Sequence, residues 1–294
     1  MAFKNRGVTY GAKGDTDRAI ADFDQAVKLD PQDARALQNR GSAWRNKGDF
    51  DRALADFDAA IKLDPNYALA LYNRGNVFYV KKDFDRAIAD YDAAIRLNPN
   101  YAAAYNSRGL AYDDKRDADR AIADFNKSIK LNPKDPLVYN NRGFAYRNKG
   151  ETDRAIADYQ QAIKIDPNYA LALYNRGIAY YDKRDYDRAS TDLNSAIKLN
   201  PNYAGAFHDR GITNYDKREF DAATPETDAA IKSSTNYAIA ATNRSSVYEN
   251  KRDDDRVIQE VNQTIKSSAA PAVAYYNRAN VFYGTRDYDQ AIKY

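Results

Sequence analysis

Seven glycines, Gly7, Gly41, Gly75, Gly109, Gly143, Gly177 and Gly211, stand 34 residues apart, and Ser245 and Ala279 keep the same register where glycine is replaced. No insertion breaks the period. A repeat of this length cannot describe a chain wound around one central core. It describes stacked supersecondary units, each burying its apolar sides against its neighbours. The register divides the 294 residues into copies at 1–33, 34–67, 68–101, 102–135, 136–169, 170–203, 204–237 and 238–271, with a partial copy at 272–294. We read the whole, 1–294, as a single array, because a repeat array grows lengthwise without splitting into globular domains.

Within the copy 68–101 the apolar residues fall into two runs. Leu71 and Phe78, with the small Ala70 and Gly75, recur at three- and four-residue spacing, as do Ala87, Ile88, Tyr91, Ala94, Ile95 and Leu97. That spacing predicts two amphipathic helices joined by a polar turn at 81–83. Asp83 is placed to cap the second helix, Arg96 sits near its C-terminal turn, and Pro99 closes the copy. Small side chains at Gly75, Ala87 and Ala94 allow close approach of the two helices, and aromatic side chains fill the space between copies. Each copy is therefore predicted to be an antiparallel helical hairpin. Pro136 fits the first turn of a helix behind Asp135 as its cap. Copy seven is the weak joint. Pro225 replaces the alanine found at Ala21, Ala55, Ala89, Ala123 and Ala157, and Ser233-Ser234-Thr235 replaces the usual ending, so stretch 220–235 is predicted to be the least stable interior segment.

This pattern resembles the tetratricopeptide repeat: Leu71, Gly75, Phe78, Ala87, Tyr91, Ala94 and Pro99 occupy that family's places, and the resemblance runs through the whole chain. It implies an all-α fold, a right-handed superhelical solenoid of antiparallel helix pairs. One departure is systematic. Where the family usually carries leucine before the glycine, every copy here carries arginine, from Arg6, Arg40, Arg74, Arg108, Arg142, Arg176 and Arg210 to Arg244 and Arg278, giving an Asn-Arg-Gly variant of the first helix.

The arginine has a companion. The second helix carries an acid at one fixed place, Asp22, Asp56, Asp90, Asp124, Asp158, Asp192, Glu226 and Glu260. We expect a ladder of partly buried arginine–carboxylate pairs, within copies or between neighbours, that fixes register more than it adds net stability. The alternative, an arginine-lined groove for anions, is opposed by the same acids.

Composition narrows the function. Acidic and basic residues nearly balance at a net charge of +3, and they alternate within every copy, so no basic stripe for nucleic acid is expected. Cysteine is absent, which excludes disulfides and thiolate metal sites. There is one histidine, His208, with no companion ligand or nucleophile at a suggestive spacing. Recurring acids such as Asp83, Asp85 and Asp90 suit capping and solvation better than catalysis. We expect no enzyme, no cofactor and no metal. No apolar run approaches the roughly 20 residues of a membrane span and no signal region opens the chain, so the expected location is cytoplasmic, away from membranes.

In the resembling family, ligand contacts come mainly from the first helices, and the matching positions here are Tyr72, Asn76 and Tyr79 in copy three, Asn140, Phe144 and Arg147 in copy five, Tyr174 and Tyr181 in copy six, and His208 and Tyr215 in copy seven. Beside them, Asn73, Asn141, Asn175, Asn243 and Asn277 are placed to hydrogen-bond an extended peptide backbone. Tyrosine and asparagine suit protein recognition, though such tyrosines also serve as packing. Some relatives clamp a C-terminal carboxylate with lysine, asparagine and arginine; that set is incomplete here, with Val8 following Lys4 where asparagine is wanted. The expected function is a scaffold or adaptor binding protein or peptide segments in a concave groove. The alternative is a structural array that stacks end to end into fibres, since both terminal copies are expected to leave an apolar face uncapped.

Overall fold

A computed structural model describes residues 2–219 and, beyond them, Ala223, Pro225 and Lys293. Apart from Pro225 itself, which is helical and exposed, the joint predicted at 220–235 falls almost wholly outside the described residues. Among the described residues there are thirteen delimited helices, Ala223, Pro225 and Lys293 are also helical, and there is no strand. Contacts group them into two units, Met1–Lys149 and Gly150–Tyr294.

In the first unit, first and second helices alternate: α1 (Ala2–Ala12), α2 (Thr16–Leu29), α3 (Ala34–Lys47), α4 (Phe50–Leu63), α5 (Ala68–Val80), α6 (Phe84–Leu97), α7 (Ala102–Asp114) and α8 (Ala118–Leu131), closed by α9 (Pro136–Asn148). The second unit contains α10 (Thr152–Ile165), α11 (Ala170–Asp182), α12 (Tyr186–Leu199) and α13 (Ala204–Asp216). Within each unit every helix packs on the next one in sequence, as a helical solenoid requires.

The boundaries follow local chemistry. Asp15, Asp49, Asp83, Asp117 and Asp185 each accept a hydrogen bond from the backbone N–H three residues on, satisfying one orphan donor of the second helix. Asp135 caps α9 by accepting from the Leu137 N–H two residues on, and Pro136 lies in the first turn where the missing N–H costs nothing. The turn between the helices of a copy needs one left-handed residue. Glycine supplies it at Gly14, Gly48 and Gly150, but Lys82, Arg116, Arg184 and Arg218 adopt positive φ in the other copies.

Close approach inside each hairpin depends on the periodic glycine. A methyl group built on Gly75 would stand 2.8 Å from Tyr91 Cε1, so the ring lies flat against bare backbone. Tyr91 and Phe57 are wholly enclosed, each removing from water apolar surface equivalent to about 2–3 kcal/mol. The core is shared between copies: Phe78, Ala87 and Tyr91 pack with Ala111 of the following copy and Leu54 of the preceding one. In the second unit Leu173, Leu193, Ala196, Ile197 and Ala206 form the equivalent cluster.

Candidate functional site

Within each unit, first helices touch first helices of neighbouring copies, α1 with α3, α3 with α5, α5 with α7, α7 with α9, and α11 with α13. Within each unit no two second helices touch among the described residues. The copies are thus close on the first-helix side and splayed on the other, which makes the first helices the inner wall of each unit's curvature.

The arginine column lies behind that wall. Arg74 donates through Nε and Nη2 to the two oxygens of Asp90, at 2.8 and 2.7 Å, and through Nη1 to Asp58 of the preceding copy at 2.7 Å. Arg40 and Arg108 repeat the arrangement with Asp56 and Asp24, and with Asp124 and Asp92. Arg142 and Arg210 reach back to amides instead, Asn126 and Asn194. Each such guanidinium ties two copies together. Arg6, paired with Asp22 alone, is 59% exposed against 22% for Arg74. The hydrogen bonds to Asp90 and Asp58 hold the Arg74 guanidinium well above its ordinary pKa, while burial lifts the Asp124 carboxyl despite Arg108. Arg6, Arg40, Arg74, Arg108 and Arg176 are consumed by acids, so these five do not line a groove for anions.

A second ladder runs along the turns. Lys47, Lys81, Lys149 and Lys217 pair with Asp17, Asp51, Asp119 and Asp187 of the preceding copies at 2.6–3.0 Å, and Lys115 with Asp85 and Lys183 with Asp153 do the same. These acids are about four-fifths exposed, so each pair contributes little.

Eight of the thirteen sequence-predicted site residues lie in the first unit and five in the second. Six of them bond to a neighbouring first helix, Tyr72, Tyr79, Tyr174 and Tyr181 to the following one and Asn73 and Asn141 to the preceding one. Tyr79 Oη donates to Asp114 at 2.6 Å, Tyr181 Oη to Asp216 at 2.5 Å, Tyr174 Oη to Asp209 at 2.7 Å, and Asn141 Nδ2 to Asn106 at 3.0 Å. Tyr72 lies 3.4 Å from Ser107 and packs on the ring of Tyr101. Asn73 is buried, accepting from Arg45 Nη1 at 2.9 Å. Asn140 and His208 are also buried, and burial lowers the His208 pKa. Asn175, Arg147 and Tyr215 are half-buried, and Phe144 is 40% exposed. Burial, reinforced by Asp114 and Asp216, pushes the Tyr79 and Tyr181 hydroxyls far above the usual phenol range.

Asn76 and Tyr79 converge on one cavity. It measures about 340 Å³ and is walled by Arg45 of α3, Asn76, Tyr79 and Val80 of α5, Tyr91 of α6, and Ser107 and Leu110 of α7. Tyr91 Oη donates to Asn76 Oδ1 at 2.9 Å, which fixes that amide and leaves its N–H donors available. Arg45, Val80, Ser107 and Leu110 were absent from the sequence-based set, which drew no residues from copies two and four. Extending the same first-helix positions to those copies finds Arg45, Ser107 and Leu110, but not Val80. Among the described residues no group of three or more ligating side chains gathers as a metal site, and no helix is long and apolar enough to cross a membrane.

Family comparison agrees with the period and the hairpins. Tetratricopeptide repeat models match residues 5–68, 45–102, 72–136, 125–157 and 170–203, and a further TPR repeat model matches 145–184. The chain belongs to the tetratricopeptide repeat family. A search of curated proteins gave no match. Among solved structures, YrrB, described as a TPR protein with an unusual peptide-binding site, is 26% identical with a TM-score of 0.53, over 64% of this chain and 97% of that one. The Cut9–Hcn1 hetero-tetramer of the APC/C is 21% identical with a TM-score of 0.70, over 82% of this chain and 48% of that one. A tetratricopeptide repeat protein from Parabacteroides merdae is 20% identical with a TM-score of 0.65, over 84% and 97%. The last two likenesses carry the fold alone. Tetratricopeptide arrays serve generally as protein-interaction scaffolds, and this chain has that architecture.

Proposed function

We propose that the chain acts by binding peptide or protein segments against the first helices rather than by catalysis, with the cavity between α3, α5 and α7 as a principal subsite. The observation that carries this reading is the cavity itself: it joins exposed Val80 and half-buried Leu110 to fixed donors at Arg45 and Asn76, the mixture that anchors a side chain and orients its backbone. Peptide recognition by YrrB, a protein of the same family at 26% identity, supports it. Tyr72 and Tyr79 form the packed floor next to the cavity and keep it open by their bonds to α7. Selection of a short random peptide library on the purified chain, with backbone amide shifts recorded for the winners, tests the reading. Shifts clustered at Asn76, Tyr79 and Leu110 are expected. Winners that perturb only second helices, or a library with no winners, refute it.

A further inference from the structure

The walls of this groove are not electrically uniform. Arg45 is held by two neutral amides, Asn73 Oδ1 at 2.9 Å and Asn46 Oδ1 at 3.3 Å, and among the described residues no carboxylate lies within ion-pair distance of it. Two of its five N–H donors are used, which leaves three for a ligand. This sets it apart from Arg6, Arg40, Arg74, Arg108 and Arg176, each chelated by a buried aspartate. At the same position two copies on, α7 carries Asp113 and Asp114, and neither meets a lysine or arginine at ion-pair distance. Asp114 accepts from Tyr79, and Asp113 accepts from the neutral amide of Asn148, so burial first and Asp114 second still lift its carboxyl above the ordinary pKa. Between the charged helices, α5 contributes Tyr79, Val80 and the apolar side of the cavity, with Leu110 facing from α7. Three neighbouring first helices therefore offer, in order, a cation, an apolar slot and a pair of anions.

Resting on the peptide-binding reading above, we propose that this groove selects an extended segment carrying an acidic, an apolar and a basic side chain in that order, the acid on Arg45, the apolar group in the slot lined by Val80 and Leu110, and the base on Asp113 and Asp114. Packed helices lie about 8–10 Å apart and an extended chain advances about 3.3 Å per residue, so the three anchors fall about three residues apart over a segment of about seven. The charge order fixes which end lies on which helix. It leaves backbone direction open, so acid-x-x-apolar-x-x-base and its reverse both fit. The carboxylate finds a forked donor in Arg45, with Asn76 Nδ2 as a further donor. The basic end relieves the Asp113–Asp114 repulsion, so its gain comes partly from the strain of the free protein.

The random library decides between the possible outcomes. Winners enriched in acid and base about six residues apart around an apolar residue are expected. A winner should bind Arg45→Glu about tenfold more weakly, and should recover when its own acid is changed to lysine. Asp113→Asn combined with Asp114→Asn should weaken the same peptide, and should no longer discriminate against one whose base is replaced by glutamine. Circular dichroism of each variant confirms that the helices persist. Winners that bind at Asn76 and Leu110 but show no charge order, or that bind Arg45→Glu within about twofold of the parent, overturn this specificity and leave the groove reading standing. A library with no winners, or winners that perturb only second helices, overturns both.

Discussion

Replacing Arg74 by methionine tests the inter-copy clamp most directly, because one side chain holds two acids in different surroundings. Asp90 is 5% exposed and receives two of the three bonds, while the Asp58 side chain is 60% exposed and receives the third. Methionine keeps the aliphatic stem and removes every donor, stranding a buried carboxylate. Breaking such a pair from one side costs about 3–5 kcal/mol, and the 22% exposure of Arg74 places this case near 3 kcal/mol. Asp58→Ala removes only the solvated partner and should cost no more than about 1 kcal/mol. Asp90→Asn leaves Arg74 bound to Asp58 and retains one acceptor, so about 2 kcal/mol is expected. Combining Arg74→Met with Asp90→Leu should cost less than the sum of its parts, since the stranded charge is gone. Arg6→Met supplies the internal control, as Arg6 bonds Asp22 alone and its side chain is 59% exposed. Repeat arrays unfold copy by copy, so urea melts need a nearest-neighbour fit, and hydrogen exchange of the α5 and α6 amides gives the local value. Equal losses for Arg74→Met and Asp58→Ala would show that the bond to Asp90 contributes nothing and would refute the reasoning.

Gly75→Ala drives a methyl group into Tyr91, and the overpacking outweighs the better helix propensity for a net loss of about 1 kcal/mol. Gly177→Ala meets Leu193 Cγ only at 3.1 Å and should be close to neutral, which hydrogen exchange of α6 and α12 would compare. Lys82 holds φ at 60°, and Lys82→Gly should raise local stability by about 1 kcal/mol, a gain readable as a higher melting temperature; a lower one would count against the strain. Burial pushes the Tyr101 and Tyr203 hydroxyls up to about 12, against about 10 in an unfolded chain. The unfolded state therefore loses those protons first, so stability is intact below pH about 10 and is lost as pH rises through about 12. The tyrosinate absorbance that Tyr101→Phe and Tyr203→Phe remove from the titration should be absorbance that the parent gains only well above pH 10, and a loss confined to the part of the curve near pH 10 would contradict it.

What lies within one copy was readable from sequence. A 34-residue period without insertions forces every copy into the same surroundings, and helical spacing of three and four residues then places Gly75 opposite Tyr91, Asp83 at a cap, and Arg74 beside Asp90, sixteen residues on. The arginine–acid ladder followed because both members recur in step. What lies between copies was decided by tertiary structure alone. The lateral spacing and rotation of stacked hairpins bring together residues 28, 30 or 35 apart, as in Arg45 with Asn73, Lys81 with Asp51 and Tyr79 with Asp114, and no spacing rule inside a helix specifies those pairs. The second bond of Arg74, back to Asp58, belongs to the same class. So does the cavity, which exists only where three first helices meet, and so does the isolation of Arg45, since whether a cation has a partner depends on what the neighbouring copies present to it.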